Sequence, residues 1–170
     1  YWTGDLAYRD ENGFFYFAGR SADWMRVDGE NFAGAPIERI LMRHPDVILA
    51  AVYGIPDFDM GDRVMAALQV QPGTTFDAGE FAEFLRAQSD LGPKWIPSFI
   101  QIVEEFPMTP SNKVIKRELV LRRWHEVERN DDVQLWWRPT KEIAFSQFTR
   151  VEATELRAKF AANNRGALLD

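Results

Sequence analysis

Two apolar runs, Val47 to Tyr53 and Val64 to Val70, constrain this chain more than anything else in it. Each has the length and composition of a strand, and the stretch between them, Ile55 to Asp62, is rich in turn-forming residues. The rest must be arranged around that pair. Ahead of it, Pro36 suits a first helical turn, and Ile37, Ile40 and Leu41 give one apolar helix face. Behind it, Asp77 and Glu80 form a capping-box pattern before Phe81, Phe84 and Leu85. Phe99 to Val103 reads as a short strand. Residues 114–125 read as a helix offering Val114, Leu119, Leu121 and Trp124 for burial.

The first thirty residues read as extended chain. Asn12-Gly13 is a two-residue turn signal, because both positions can take positive φ, so residues 5–19 are expected to form a hairpin. Its second strand, Phe14 to Phe17, is apolar on both faces and expects cover on both. Residues 24–32 are a further extended stretch. Past residue 125 the chain turns polar and acidic apart from Leu135, Trp136 and Trp137. Residues 141–162 then read as helix, with Phe145, Phe148, Leu156 and Phe160 at helical spacing. This order predicts an α+β fold: a small antiparallel or mixed sheet flanked by helices, preceded by a β-hairpin and followed by a helical C-terminal extension.

Composition removes several classes of function. There is no cysteine, so disulfides and thiolate metal sites are excluded. His44 and His125 lie far apart without metal-ligand spacing, and both read as structural. Twenty basic residues against 26 acidic ones give a net charge of −6, which opposes nonspecific nucleic-acid binding. No apolar run is long enough to span a membrane, and none reads as a signal peptide. The opening on Tyr1 rather than Met reads as part of a larger gene product.

Candidate site residues are ordinary when taken singly. A Gly-Asp pair, an Arg after Gly and a Lys in a Ser/Pro loop occur in many proteins. Their order is specific. Tyr1-Trp2-Thr3-Gly4-Asp5 comes first. Gly19-Arg20 follows and leads into SADWMRVDGENFAGAPIE. LGPKWIP then precedes FPMTPSNKVIKREL. Together these segments resemble the adenylate-forming (ANL) family of acyl-CoA synthetases (fatty-acid–CoA ligases), luciferases and peptide-synthetase adenylation domains. The resemblance runs from residue 1 to 124, and the tail is more loosely similar to extensions of some bacterial acyl-CoA synthetases.

The resemblance implies a division of the chain. Residues 1–21 would end a large N-terminal domain, 22–124 would form the mobile C-terminal domain, and 125–170 an extension. It implies an ATP-dependent ligase that activates a carboxylic acid, a fatty acid by preference, as an acyl-adenylate and passes it to coenzyme A. Asp5 would accept the ribose hydroxyls of the adenylate, with Thr3 and Arg20 as further nucleotide contacts; a carboxylate suits two hydroxyl donors. Lys113 would be the adenylation lysine, neutralising charge that builds on the α-phosphate. Ala22 takes the hinge position, where many members carry Asp or Lys, and Asp23 beside it could substitute. After rotation Gly29 would line the pantetheine path, with Arg26 assisting. Lys116, Arg117, Arg122 and Arg123 form a basic cluster that reads first as a solvated helix face.

The cofactors implied are ATP and coenzyme A, with Mg2+ accompanying ATP on ligands in the missing domain and no metal site in this chain. The partners implied are that N-terminal large domain and the carboxylic acid, without nucleic acid. The location implied is cytoplasmic, with a membrane-peripheral placement of the full-length protein as the alternative. The family's Ser/Thr/Gly-rich phosphate loop does not occur in these residues, so the chain by itself is expected to be inactive. A peptide-synthetase subdomain is the first rival; Ser146 is expected on a helix, which opposes a carrier-domain reading. A noncatalytic α+β module that stacks RNA bases on Trp136-Trp137-Arg138 is the second, and packing is the better expectation for those tryptophans.

Overall fold

The structure, a computed structural model, describes residues 4–20, 23–59 and 61–169. Strands β1 (Asp5–Arg9) and β2 (Phe15–Arg20) pair antiparallel as a separate two-stranded sheet. The expected two-residue turn at Asn12-Gly13 does not join them. Arg9 pairs with Phe15, residues 10–14 form the loop, and only Gly13 in it is left-handed (φ 89°). Asp10 imposes this wider loop. Its carboxylate accepts from the Phe14 N–H at 2.9 Å and the Tyr16 hydroxyl at 3.1 Å. Tyr8 stacks on Tyr16 across the strands, and Tyr8, Phe14, Phe15 and Tyr16 are exposed.

The two-residue turn occurs instead in the next hairpin, between β3 (Trp24–Val27) and β4 (Glu30–Ala33). Asp28 (φ 46°) and Gly29 (φ 81°) are both left-handed, the backbone of a type I′ turn. Helix α1 (Gly34–Leu41) follows directly and buries Ile37, Ile40 and Leu41. It lies close against β5 (Val47–Pro56): a Cβ on Gly34 would stand 2.4 Å from the Val52 carbonyl oxygen. The second apolar run is β6 (Asp62–Val70), antiparallel to β5. Helix α2 (Ala78–Ala87) starts at Asp77, whose carboxylate accepts from the Gly79 and Glu80 amides at 2.8 Å.

β7 (Phe99–Ile102) lies parallel to β6. The helix expected over 114–125 is shorter. It is α3 (Lys116–Arg122), broken where Arg123 takes a left-handed φ of 38° and starts a 3-10 turn to Glu128. The break leaves Leu121 outside and buries Leu119 and Trp124. The tail then does more than the sequence suggested. β8 (Leu135–Trp137) and β9 (Ser146–Gln147) extend the sheet to the order β5-β6-β7-β8-β9. The last helix is α4 (Arg150–Ala162), not 141–162. Thr149 caps it in a full capping box with Glu152, which fixes the start and leaves Phe145 and Ser146 in extended chain. The fold is α+β, with a mixed sheet flanked by helices.

Alternation along β6 creates two cores. Val64, Ala66 and Leu68 face a cluster with α1, α2 and the β3–β4 hairpin. Met65 and Ala67 face another with Phe99, Leu119, Trp124, Phe148 and the apolar side of α4. Trp136 packs on Phe76, and Trp137 on Phe99 and Phe148, so these rings are sheet packing.

Arg138, next in the chain, is 8% exposed and donates to a main-chain carbonyl from each of its three guanidinium nitrogens. It donates to Pro97 at 3.0 Å, Ile96 at 3.1 Å and Thr140 at 3.0 Å. Burial, together with the nearby Arg63 charge, holds its pKa below the usual arginine value. Arg138→Met keeps the stem and leaves buried carbonyls unsatisfied. It is expected to lower the unfolding free energy in urea by roughly 2–4 kcal/mol.

His125 sits part-buried against Trp124, with Arg123 and Arg157 near it and its Nε2 without a hydrogen-bond partner. Burial first, then the Arg123 charge, lowers its pKa from 6.5 to about 4. The native state therefore holds neutral His125 where the unfolded chain would protonate it. Its contribution is complete above pH 6.5 and is lost as pH falls toward 4. Glu128 and Glu152 are held below the ordinary carboxylate value of 4.5 and lose their contributions only at lower pH. The thermal midpoint is expected to drop between pH 6.5 and 4.5, and His125→Gln to flatten that drop.

Candidate active site

Lys113 closes a small tied turn. Met108 and Val114 form an antiparallel bridge across its base. Inside it the Thr109 amide donates to the Lys113 carbonyl at 2.8 Å, and the Lys113 amide donates to Thr109 Oγ1 at 3.0 Å. Asn112 takes a φ of 57°, which its short polar side chain tolerates, so this turn does not require glycine. The backbone of Lys113 is thus fixed while its side chain is exposed, an ammonium on a flexible stem over a defined base. Sequence reasoning treated the segment as an irregular loop and missed Thr109. A Thr four residues before the lysine, with Pro between, was the available signal.

The turn stands on the rim of a cleft of about 860 Å3. Asp23, Trp24, Tyr53, Lys116 and Arg117 line it with Lys113. Lys116 is engaged: its Nζ lies 2.7 Å from Glu38 Oε1, which also accepts the Val52 amide at 2.8 Å. That pair ties the start of α3 to α1 and β5, and so anchors the chain just beyond Lys113. The basic cluster is not one solvated face. Arg122 pairs with Glu118 at 3.3 Å, and Arg123 is buried, donating to the Leu168 carbonyl at 2.9 Å. Arg117 remains with Lys113 at the cleft. Tyr53 is buried with its hydroxyl unpartnered, and burial pushes its pKa up.

The other candidates fall into two places. Asp5 and Arg20 are register partners at the open end of the β1–β2 hairpin, so residues fifteen apart in sequence meet across one ladder. Arg26 and Gly29 belong to the β3–β4 hairpin and do not themselves line the Lys113 cleft. The Arg26 amide donates to Asp62 Oδ2 at 2.8 Å and its side chain is exposed. A Cβ on Gly29 would have nothing within 4 Å, so the turn is open on that side. Thr3 and Ala22 lie outside the described residues. Among the described residues no group of three His, Asp or Glu could hold a metal ion, and no helix is long and apolar enough to cross a membrane.

Residues 36–113, the stretch from α1 to the lysine turn, match the family described as AMP-binding enzyme C-terminal domain. Steroid-22-oyl-CoA synthetase of Rhodococcus jostii (strain RHA1) is 46% identical over 169 residues, 99% of this chain and 30% of that protein. The medium/long-chain-fatty-acid–CoA ligase FadD17 of Mycobacterium marinum is 58% identical over 119 residues, 70% of this chain and 24% of that protein. Among solved structures, ATP-bound MatB from Rhodopseudomonas palustris superposes with a TM-score of 0.62 at 30% identity, covering 69% of this chain and 23% of that one. The chain therefore spans less than a third of the length of these relatives. Residues 36–113 thus carry an AMP-binding enzyme C-terminal domain, in a chain similar over most of its length to acyl-CoA ligases.

Proposed function

We propose that this chain is the moving, C-terminal part of an AMP-forming acyl-CoA synthetase, and that Lys113 is its adenylation lysine. The observation that carries this reading is the tied turn: a free ammonium on a fixed base at the rim of a cleft that Asp23, beside the proposed hinge at Ala22, also lines. An ammonium so presented can meet an entering α-phosphate and a carboxylate together. It would orient both and offset the charge that builds as the carboxylate oxygen attacks and pyrophosphate leaves. Asp5 and Arg20, paired at the hairpin end, would hold the ribose. ATP, coenzyme A and the acid are the substrates proposed, and Mg2+ would arrive with ATP on ligands outside these residues.

The proposed division puts residues 1–21 at the end of the large domain, 22–124 in the mobile domain and 125–170 in an extension. The exposed rings of the first hairpin, Tyr8, Phe14, Phe15 and Tyr16, fit a face that the rest of the large domain covers. The hinge at Ala22 would then carry the β3–β4 turn, with Gly29 and Arg26, to the acyl-adenylate for thioester formation. A medium- or long-chain fatty acid is the proposed acid, supported by the similarity to FadD17. A steroid side-chain acid is the second reading, because the match to steroid-22-oyl-CoA synthetase extends through the tail as well. A cytoplasmic or membrane-peripheral enzyme fits either.

In the full-length protein, Lys113→Ala is expected to lower acid-dependent ATP–pyrophosphate exchange by roughly 10²–10³-fold. Thioester formation from supplied acyl-adenylate should survive; equal loss in both assays would refute the assignment. The 170-residue chain alone is expected to form no thioester from acid, ATP and coenzyme A, since it carries no phosphate loop. Detectable turnover by it would show that the catalytic set is complete without the large domain.

A further inference from the structure

The LGPKWIP run and the Asp28-Gly29 turn lie far apart in sequence and meet in the fold. Lys94 Nζ donates to the Asp28 carbonyl at 2.9 Å and lies 2.9 Å from Glu30 Oε1 and 3.6 Å from Asp28 Oδ2. Its pKa is raised, chiefly by the hydrogen bond to Glu30. A surface ion pair alone does little, because ordering two long side chains offsets the attraction. Here the base is already rigid. Trp95 packs on Phe32 of β4 with ring centroids 5.9 Å apart, Ile96 is buried, and Arg138 holds the Ile96 and Pro97 carbonyls. On the other side the hairpin is fixed by the Arg26 amide bond to Asp62 and by the Val27–Gly61 bridge. The central peptide of the turn is left with Lys94 as its holder.

We propose that Lys94 is a positioning residue for the thioester-forming step: it locks the Asp28–Gly29 peptide so that the turn shows coenzyme A an N–H rather than a carbonyl. The peptide is planar and trans, so a carbonyl held toward Lys94 sends the Gly29 N–H the opposite way. Flipping that peptide would convert a type I′ turn to type II′ and reverse its polarity toward a ligand. An amide donor suits the carbonyls and the developing thiolate of a pantetheine arm; a carbonyl does not. The open side of Gly29 leaves room for so thin a ligand. This assignment rests on the reading that the turn serves the thioester step.

The test uses the full-length protein and scores the two half-reactions separately. Lys94→Met is expected to raise the KM for coenzyme A about tenfold while pyrophosphate exchange stays within about twofold. Lys94→Arg, which keeps charge and donors, is expected to recover most of the loss. Unchanged thioester kinetics in Lys94→Met, equal damage to both half-reactions, or an Arg variant as impaired as the Met variant would each overturn the proposal. Gly29→Leu separates it from its premise. If that variant forms thioester normally, the turn is not at the thiol path and the whole assignment falls. If it blocks thioester formation while Lys94→Met does not, only the role of Lys94 falls.

Discussion

Burial of β6 on both faces is the constraint on which the rest depends. Val64 through Leu68 are at most 1% exposed, so each face of the strand needs its own cover. One face is covered by α1, α2 and the β3–β4 hairpin, the other by α3, the 3-10 turn and the tail helix. The backbone of β6 is satisfied on both edges, by β5 antiparallel and by β7 parallel. A parallel neighbour requires a crossover, and residues 71–98 with α2 supply it. The lysine turn follows β7 and is pinned back to β5 and α1 through Lys116 and Glu38, so its position derives from the same strand.

The tail is part of that construction. β8 and β9 extend the sheet past β7, and Phe148, Leu156 and Phe160 complete the second core. Arg138 shows how an unpaired-looking cation can be structural. Its planar fork meets three main-chain carbonyls, from Ile96, Pro97 and Thr140.

What the sequence made legible follows from which forces are local. The apolar runs, the α1 stripe and the Asp77 cap are read correctly because periodicity and capping act within a few residues. The turn assignment failed in one hairpin because a nearby side chain competes for the loop backbone, and the same turn formed unread in the other. Asn12-Gly13 has the right chemistry, but the Asp10 carboxylate captures the Phe14 amide and widens the loop. Asp28-Gly29 has equal chemistry and closes tightly, inside a stretch read simply as extended. β8 and β9 are too short to show a period, and only pairing with β7 defines them. Phe145 and Phe148 have helical spacing by coincidence of two different packings. Of the site, the lysine and its neighbours were visible as a motif and Thr109 had a local signal that went unread, whereas Glu38 and Lys94 act between elements and leave no local pattern.

The proposed two-step chemistry needs its two active faces never to compete for one acyl-adenylate, and β3 supplies a physical reason why they would not. Trp24 at its start lines the Lys113 cleft, and Val27 at its end leads into the Asp28-Gly29 turn. From Trp24 to Val27 the strand spans about 10 Å at roughly 3.3 Å per residue. Met25 within the strand and Val27 at its end are buried, so sliding or bending the strand would expose core. Cleft and turn are therefore held apart at a fixed spacing. A rotation at Ala22, just before the strand, would move both as one body, and bringing either face to the substrate would carry the other away. On this reading no contact between Lys113 and Gly29 is needed to make the half-reactions exclusive; a stiff strand between them is sufficient.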